Sequence, residues 1–478
     1  MKSTVMKFGG TSVEGATAFK NAATLICDRQ SLRPVVVVSA MAGFTDALIE
    51  SVQQAVTAGA SVASASLAKH FDRHYRVVDA LLITEAEPMK NFIAGSSSEL
   101  AQLLQQANIE LNDATTSSRA RRKFVEDAIV SYGERLSATL LAAVLRENCL
   151  TAACVDARQC IITDDDHGCA KPLMPETFRR TREHVQPVID QGAVPVLGGF
   201  IGSTIQGETT TLGRGGSDYT AALIGAALEA DEIQIWTDVP GVLTADPRLV
   251  PHARTVPQLS FDEAAELAYF GAKVLHPKTL HPAIERDIPV RICNSREQES
   301  GSTLVIGESK KSQQTVKAIA HKKEVTTVQV TSTRMLGAYG FLRALFEIFD
   351  EHKTAVDVVT TSEVSVSLSL DDTTWLPDIV TELERLGSVS VEEKRAIICV
   401  VGEGLRTTPG IAARIFSTIS DINVSLISQG ASRINLTFAV EQDRVRETVS
   451  RLHKEFFENE PTEQALRELN DMRTEVSA

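Results

Sequence analysis

None of the seven cysteines forms a Cys-x-x-Cys pair, and no run approaches eighteen apolar residues. The first absence, with an odd count, fits reduced thiols in a cytoplasm and not a disulfide framework. The second leaves no candidate membrane span, and the N-terminus reads as a strand, not a signal-peptide core. Basic residues are also short: 48 Lys and Arg against 62 Asp and Glu leave a net charge of −14. That balance argues against non-specific nucleic acid binding and against docking on anionic membranes, while local basic sites can still hold small anions. Cys149, Cys154, Cys160 and Cys169 cluster, but their irregular spacing fits buried thiols better than a metal site. His276 and His281, in His-Pro-Lys-Thr-Leu-His, lack the clustered ligands of a metal site, which favours a surface or packing role.

What is present is a chain of 478 residues with 43% hydrophobic content, enough for two or three domains. Up to about residue 305, short apolar runs alternate with helical ones. Thr4–Met6, Pro34–Val38, Val194–Phe200, Ile233–Asp238 and Pro289–Cys293 read as strands. Residues 60–130 carry helical periodicity, and Ser137–Leu145 is strongly helical. This alternation predicts a parallel sheet with helices on both faces. Ligands in such sheets sit beyond the carboxyl ends of the strands.

Two glycine loops fall at such positions. Lys7-Phe8-Gly9-Gly10-Thr11-Ser12 follows the first strand and precedes a helical pattern from Ala16. Paired glycines let backbone N–H groups approach a polyanion, Lys7 adds a full charge, and the helix adds its positive end. A purely structural strand–turn is the alternative. The second loop, Thr209-Thr-Thr-Leu-Gly-Arg-Gly-Gly-Ser-Asp218, opens a helix running through Ala227. Arg214 can grip a carboxylate or phosphate with both arms. Asp218, in the first helical turn, is either a functional acid or a plain helix-capping one. Neither loop has the Gly-Lys-Ser/Thr of a Walker A motif or the pattern of a protein-kinase loop, so phosphates would be held another way.

Trp236-Thr-Asp-Val-Pro-Gly241, Asp246-Pro-Arg248 and Phe270-Gly-Ala-Lys-Val-Leu-His-Pro277 follow these loops in order. Together the five stretches resemble the aspartate kinase family over nearly the whole chain, closest to its lysine-sensitive bacterial branch. The resemblance implies an amino-acid-kinase (carbamate-kinase-like) α/β/α sandwich followed by regulatory modules. It also implies transfer of the ATP γ-phosphoryl group, with Mg²⁺, to the side-chain carboxylate of L-aspartate. The product would be 4-phospho-L-aspartate, on the route to lysine, methionine and threonine. A carboxylate nucleophile is ionised at neutral pH, so no general base is required; cation density and in-line positioning are. By resemblance, Lys7, Arg214 and Asp218 are the catalytic set. Thr45, Glu134, Arg214 and Ser217 would hold aspartate. Lys7, Gly9, Gly10, Ser12, Thr237, Asp238, Arg248, Lys273 and Val274 would hold the nucleotide. Read alone, Glu134 is a solvated first-turn acid and Thr45 an N-cap. Leu243 stands where the family commonly has tyrosine.

Residues 297–317 are polar around one short strand and read as a linker. Beyond lies an internal repeat of about 70 residues. Gly340 and Phe346 match Gly410 and Phe416, and Val356-x-Val358-Val359-Thr360 matches Val424-x-Leu426-Ile427-Ser428. The copies resemble paired ferredoxin-like ACT domains, the first inserted within the second, so Val316–Ala320 is expected to pair with the later copy. The expected bounds are 1–305 catalytic, 306–320 linker and first strand of the later module, 321–393 and 394–460 the two ACT domains, and 461–478 an extension without catalytic role. The resemblance places L-lysine as effector against Met335, Gly340, Phe341, Leu342, Val356, Asp357, Ser362 and Glu363. Ala338 replaces a serine usual in that branch. ACT edges pair across a two-fold, so a homodimer or higher oligomer is expected.

Two other readings compete. A glutamate or uridylate kinase of the same fold would share the phosphate loops, but not Glu134 in Tyr-Gly-Glu combined with tandem ACT repeats. A non-catalytic amino-acid sensor would not require Lys7, Arg214 and Asp218. The chain also ends too soon for a fused homoserine dehydrogenase or diaminopimelate decarboxylase.

Overall fold

Thr4–Phe8 (β1), Pro34–Val38 (β2) and Val194–Gly198 (β4, after β3 at Ala152–Val155) are buried at every residue. Continuous apolar strands of this kind need cover on both faces, which a parallel sheet between helices supplies. The computed structural model describes residues 2–112, 119–148, 150–271, 277–297, 301–307, 315–337 and 339–458. Their arrangement divides into two compact units.

The first unit holds an eight-stranded sheet in the order β3-β4-β2-β1-β7-β9-β10-β8. Here β7 is Glu232–Thr237, β8 Gln258–Ser260, β9 Val290–Asn294 and β10 Ser302–Ile306. All neighbours run parallel except β9 and β10. A separate hairpin pairs β5 (Ile201–Ser203) with β6 (Thr209–Thr211). Register decides where the loops emerge: Phe8 lies beside both Val38 and Trp236, and Val38 beside Gly198. Four strands thus end level, and their following loops open side by side.

Helices α1 (Ala16–Asp28), α2 (Phe44–Ala58), α3 (Ala60–Leu81), α4 (Ala86–Asn112) and α5 (Arg119–Val130) precede α6 (Tyr132–Glu147). The later ones are α7 (Met174–Asp190) and α8 (Gly216–Leu228). Among the described residues of 60–130 the reading as largely helical holds, in α3, α4 and α5. The stretch Arg119–Glu147 is long and apolar enough to cross a membrane by length and composition, yet 83% of its apolar window is buried inside the fold. It is a core element, its apolar window enclosed by neighbouring parts of the fold.

The second unit comprises the described parts of 243–256, 262–273 and 310–478. One six-stranded sheet runs β12-β13-β11-β14-β16-β15. Its strands are β11 (Ala318–Thr331), β12 (Val359–Thr361), β13 (Ser365–Leu370), β14 (Ser388–Val401), β15 (Leu426–Gln429) and β16 (Asn435–Glu441). Two 14-residue strands run through both repeats: Ala318–Lys322 pair with Ile397–Val401, and Val325–Thr331 with Ser388–Arg395 across an irregular step. Separate cores lie under the two halves, one around Leu345, Ile348 and Ile379, the other around Ile398, Ile415 and Phe438.

Two placements differ from the sequence reading. Strand β10, read as an interruption in a linker, is an inner strand of the eight-stranded sheet. Residues 243–256, expected in the catalytic domain, send Ala245, Leu249 and Val250 into the second repeat's core, and the Thr244 carbonyl accepts from Ile319 N at 2.8 Å. Burial of apolar side chains against a partner distant in sequence, invisible to local pattern, decides both.

Candidate active site

The level strand ends surround a cavity of about 600 Å³ in the first unit. Its wall includes Lys7, Gly10, Thr45, Glu134, Arg214, Ser217 and Asp218. These span more than 200 residues of chain and come from the end of β1 and its following loop, the starts of α2, α6 and α8, and the loop before α8.

Lys7 lies on β1, and its Nζ is 2.6 Å from Asp218 Oδ1, with side chains 11% and 14% exposed. Asp218 stands in the first turn of α8, whose N-cap position is taken by Gly215, and its carboxylate faces Lys7. A half-screened cation held by one carboxylate is a prepared anion site. Arg214 is exposed at the cavity mouth and has no ion-pair partner among the described residues. Its loop turns through Gly213 (φ 73°) and Gly215 (φ 76°), a left-handed region that favours glycine.

Glu134 departs most from its local reading. It is 3% exposed on α6, a helix buried at most positions. Ala40 N donates to its Oε1 at 3.2 Å, whereas its Oε2 is buried with no hydrogen-bond partner. Burial, opposed by the Ala40 bond, pushes its carboxyl up to about 8. A buried acceptor left open on a cavity wall is costly unless a ligand fills it. Thr45 is likewise not the N-cap its type suggests; Gly43 takes that position, and Thr45 sits inside the first turn of α2.

The Gly198-Gly199 pair serves close approach. A Cβ on Gly199 would stand 2.7 Å from Ser217 Cβ, and one on Gly198 would stand 3.0 Å from Glu134 Cβ. Both glycines therefore let β4 press against two site residues.

Not every expected nucleotide residue lines this cavity. Gly9 N donates to the Trp236 carbonyl at 3.0 Å, and Ser12 Oγ is buried 2.8 Å from Ser295 Oγ. They lace the loop after β1 to β7. Thr237 ends β7 and bonds Asp238 Oδ1 at 3.2 Å. Arg248 belongs to the second unit, 86% exposed and forked onto Asp246. Lys273 and Val274 lie outside the described residues, as do His276, Ala338, Cys149 and the 461–478 extension.

Two supporting residues escaped sequence reasoning. Asp127 on α5, 2% exposed, accepts from Thr211 Oγ1 at 2.6 Å, Thr211 N at 3.2 Å and Gly168 N at 3.0 Å, with His167 Nδ1 at 2.9 Å. It ties the strand feeding the Arg214 loop to α5; burial raises its carboxyl above the ordinary range against these bonds. Arg73 donates to the Ala42 and Glu14 carbonyls at 2.8 and 2.9 Å, pinning the loops after β2 and β1 together. Nothing local marks either residue, since their partners lie 31 to 84 positions away.

In the second unit, Gly340 (φ 82°) caps α11 (Phe341–Glu351, after α9 at Phe261–Tyr269 and α10 at His281–Glu285), and Phe341 and Leu342 open it. Val356 and Asp357 precede β12; Ser362 and Glu363 turn between β12 and β13, both exposed. Met335 ends a 3₁₀ turn. Of the clustered cysteines, Cys160 is buried, its thiol pushed up to about 12, and no described group of metal-ligand type includes it. His281 pairs with Glu285 at the surface. Unflagged by sequence, His252 and His453 both contact Glu458 Oε1, at 2.7 and 2.9 Å.

The amino acid kinase family model matches residues 2–294, and an ACT domain model matches 398–456. The lysine-sensitive aspartokinase 3 of Escherichia coli is 36% identical over 467 residues, covering 95% of this chain and 99% of its own. The chain belongs to the aspartokinase family. Chloroplastic aspartokinase 2 of Arabidopsis thaliana is 39% identical, with 96% of this chain and 85% of its own covered. The crystal structure of E. coli aspartokinase III with aspartate and ADP superposes with a TM-score of 0.79 at 35% identity, covering 95% of this chain and all of that one. The same enzyme with lysine and aspartate gives 0.78 over 96%. The chain is thus a kinase of the class that phosphorylates a carboxyl group, joining an amino acid kinase domain to an ACT region, as its sequence resemblance implied.

Proposed function

We propose that this chain transfers the γ-phosphoryl group of ATP to the side-chain carboxylate of L-aspartate, forming 4-phospho-L-aspartate. The observation that carries the proposal is one cavity wall bearing both the Lys7–Asp218 pair and the open oxygen of Glu134. Glu134 suits an ammonium group and Arg214 an α-carboxylate, the two ends of an amino acid. Around neutral pH the empty site keeps a proton on Glu134 for most of the time; an arriving ammonium favours its ionised form. Thr45 and Ser217 complete the pocket, and Gly198 and Gly199 leave room for Glu134 and Ser217 to pack closely behind it.

Lys7 neutralises the transferring phosphoryl group, while Asp218 keeps its ammonium aimed into the cavity. Gly10, and by resemblance Gly9, Ser12, Thr237, Asp238, Arg248, Lys273 and Val274, serve the nucleotide. Mg²⁺ prefers one or two carboxylates plus phosphate oxygens, and Asp218 is a cavity-wall carboxylate of the right type. When bound it supplies charge neutralisation between phosphates. The acceptor carboxylate needs no base, which matches a cavity whose one strongly shifted acid, Glu134, suits substrate binding.

The ACT region takes an amino acid effector, L-lysine, at Met335, Gly340, Phe341, Leu342, Val356, Asp357, Ser362 and Glu363. The protein works in the cytoplasm as a homodimer or larger homo-oligomer. Support comes from the E. coli relative, whose crystal structures hold aspartate with ADP and lysine with aspartate. The test is steady-state ADP release with L-aspartate, L-glutamate and UMP, titrated with lysine, threonine and methionine. Turnover on aspartate alone, inhibited by lysine, is expected; turnover on glutamate or UMP would overturn the substrate, and indifference to lysine the effector.

A further inference from the structure

Asp357, in contrast to Glu134, is fully engaged by its own chain. Lys322 Nζ lies 3.0 Å from Asp357 Oδ2 and also contacts the Asp371 carboxylate. The Tyr269 hydroxyl donates to Asp357 Oδ1, and Lys322 Nζ sits 4.8 Å from the centre of the Tyr269 ring. The Asp357 side chain is 6% exposed and that of Lys322 22%. An ammonium, two carboxylates and an aromatic face are the groups that recognise an alkylammonium ligand. Here the alkylammonium is a side chain of the protein.

We propose that Lys322 is a built-in competitor for the effector: its ammonium occupies Asp357, and an amino acid ammonium binds there by exchange, releasing Lys322 and the Tyr269 hydroxyl. The inference rests on Asp357 belonging to the effector site, as proposed above. Three physical points support exchange over simple addition. Both Asp357 oxygens already have partners, so a second ammonium gains little by joining them. Two cations on one nearly buried carboxylate would repel each other. Lys322 can leave without becoming isolated, because Asp371 is 43% exposed and keeps it paired. The ligand's affinity is therefore reduced by the stability of the internal pair, as for any site whose competent form is a minor population.

The experiment measures L-lysine binding to the full-length protein by calorimetry, alongside lysine inhibition of turnover. Lys322→Met removes the competitor, and lysine is expected to bind about tenfold tighter, the equivalent of roughly 1.4 kcal/mol. Lys322→Arg keeps a competing cation and should bind lysine no tighter than wild type. Since Lys322→Met leaves two carboxylates facing each other, Lys322→Met/Asp371→Asn provides a charge-balanced version with the same expected direction. Asp357→Asn tests the underlying site and should abolish lysine binding. Wild-type affinity in both Lys322→Met forms, with binding lost in Asp357→Asn, would overturn the exchange and leave the effector site standing. Unchanged binding in Asp357→Asn would overturn both.

Discussion

Two buried acids, Glu134 in the catalytic unit and Asp357 in the regulatory one, meet opposite treatment. Glu134 lines a cavity of about 600 Å³ with one oxygen buried and unpartnered, and among the described residues no cation pairs with it. Asp357 has a lysine and a tyrosine of its own chain on its two oxygens. The first arrangement stores the cost of an unmatched acceptor until substrate arrives, which favours binding without rearrangement. The second is satisfied when empty, so a ligand gains only the difference between its own contacts and those it replaces. On the proposed assignments, a substrate site and a switch site built from similar residues differ in what the protein itself puts there.

The largest test of this contrast is Lys7→Ala, expected to lower kcat by about a thousandfold, since the phosphoryl charge loses its main protein cation. Single-turnover ADP formation measures it, with circular dichroism to confirm folding. Wild-type turnover would remove the phosphate-site assignment.

Next is Glu134→Gln, where the KM for aspartate should rise about a hundredfold, as expected on removing the charged partner of a buried ammonium. The pH profile sharpens the point. Because the Glu134 carboxyl titrates at about 8 in the empty protein, kcat/KM for aspartate should climb as pH rises toward 8 and then level off. The same shift bears on stability: a carboxyl raised in the folded state stabilises the fold while protonated, and that contribution is lost as pH rises through about 8. Glu134→Gln should flatten the profile and hold its melting temperature better between pH 7 and 9. An unchanged climb in the variant would assign the titration to another group.

Gly199→Ala is expected to weaken aspartate binding by about tenfold, because its Cβ would collide with Ser217 at 2.7 Å. Asp127→Asn should lower stability by about 2 kcal/mol, since an amide cannot accept all the bonds now made to the carboxylate. It should also reduce kcat/KM several-fold by loosening the strand that feeds Arg214; thermal melts and steady-state kinetics read the two effects. The smallest expected change is Arg248→Ala, which should leave the melting temperature unaltered because the Asp246 pair is exposed, while raising the KM for ATP a few-fold. No change in KM would take Arg248 out of the nucleotide set.

Local pattern was enough for the strands at 34–38 and 233–237, since short runs dominated by β-branched or aromatic residues favour a buried strand. It was enough, too, for the glycine loops and the repeat, whose signals lie within ten residues or recur at a fixed interval. It failed where a residue's neighbours are remote. Glu134 and Thr45 were indistinguishable from ordinary first-turn residues until α6 was seen to be buried and Gly43 to take the cap. Asp127 and Arg73 gave no signal because each acts on backbone groups tens of residues away. Strand β10 looked like part of a linker, and residues 243–256 like part of the catalytic domain, because membership of a sheet or core is a property of the partner, not of the segment.

Chain chemistry alone therefore settled which stretches become strands and helices, which loops can approach an anion, and which family the protein joins. Folding decided which charges remain open and which are answered internally: Lys7 by Asp218, Asp357 by Lys322, Glu134 on one oxygen only. The physical reason is that a charge's behaviour depends on burial and on neighbours within a few ångströms, and those neighbours come from distant parts of the chain.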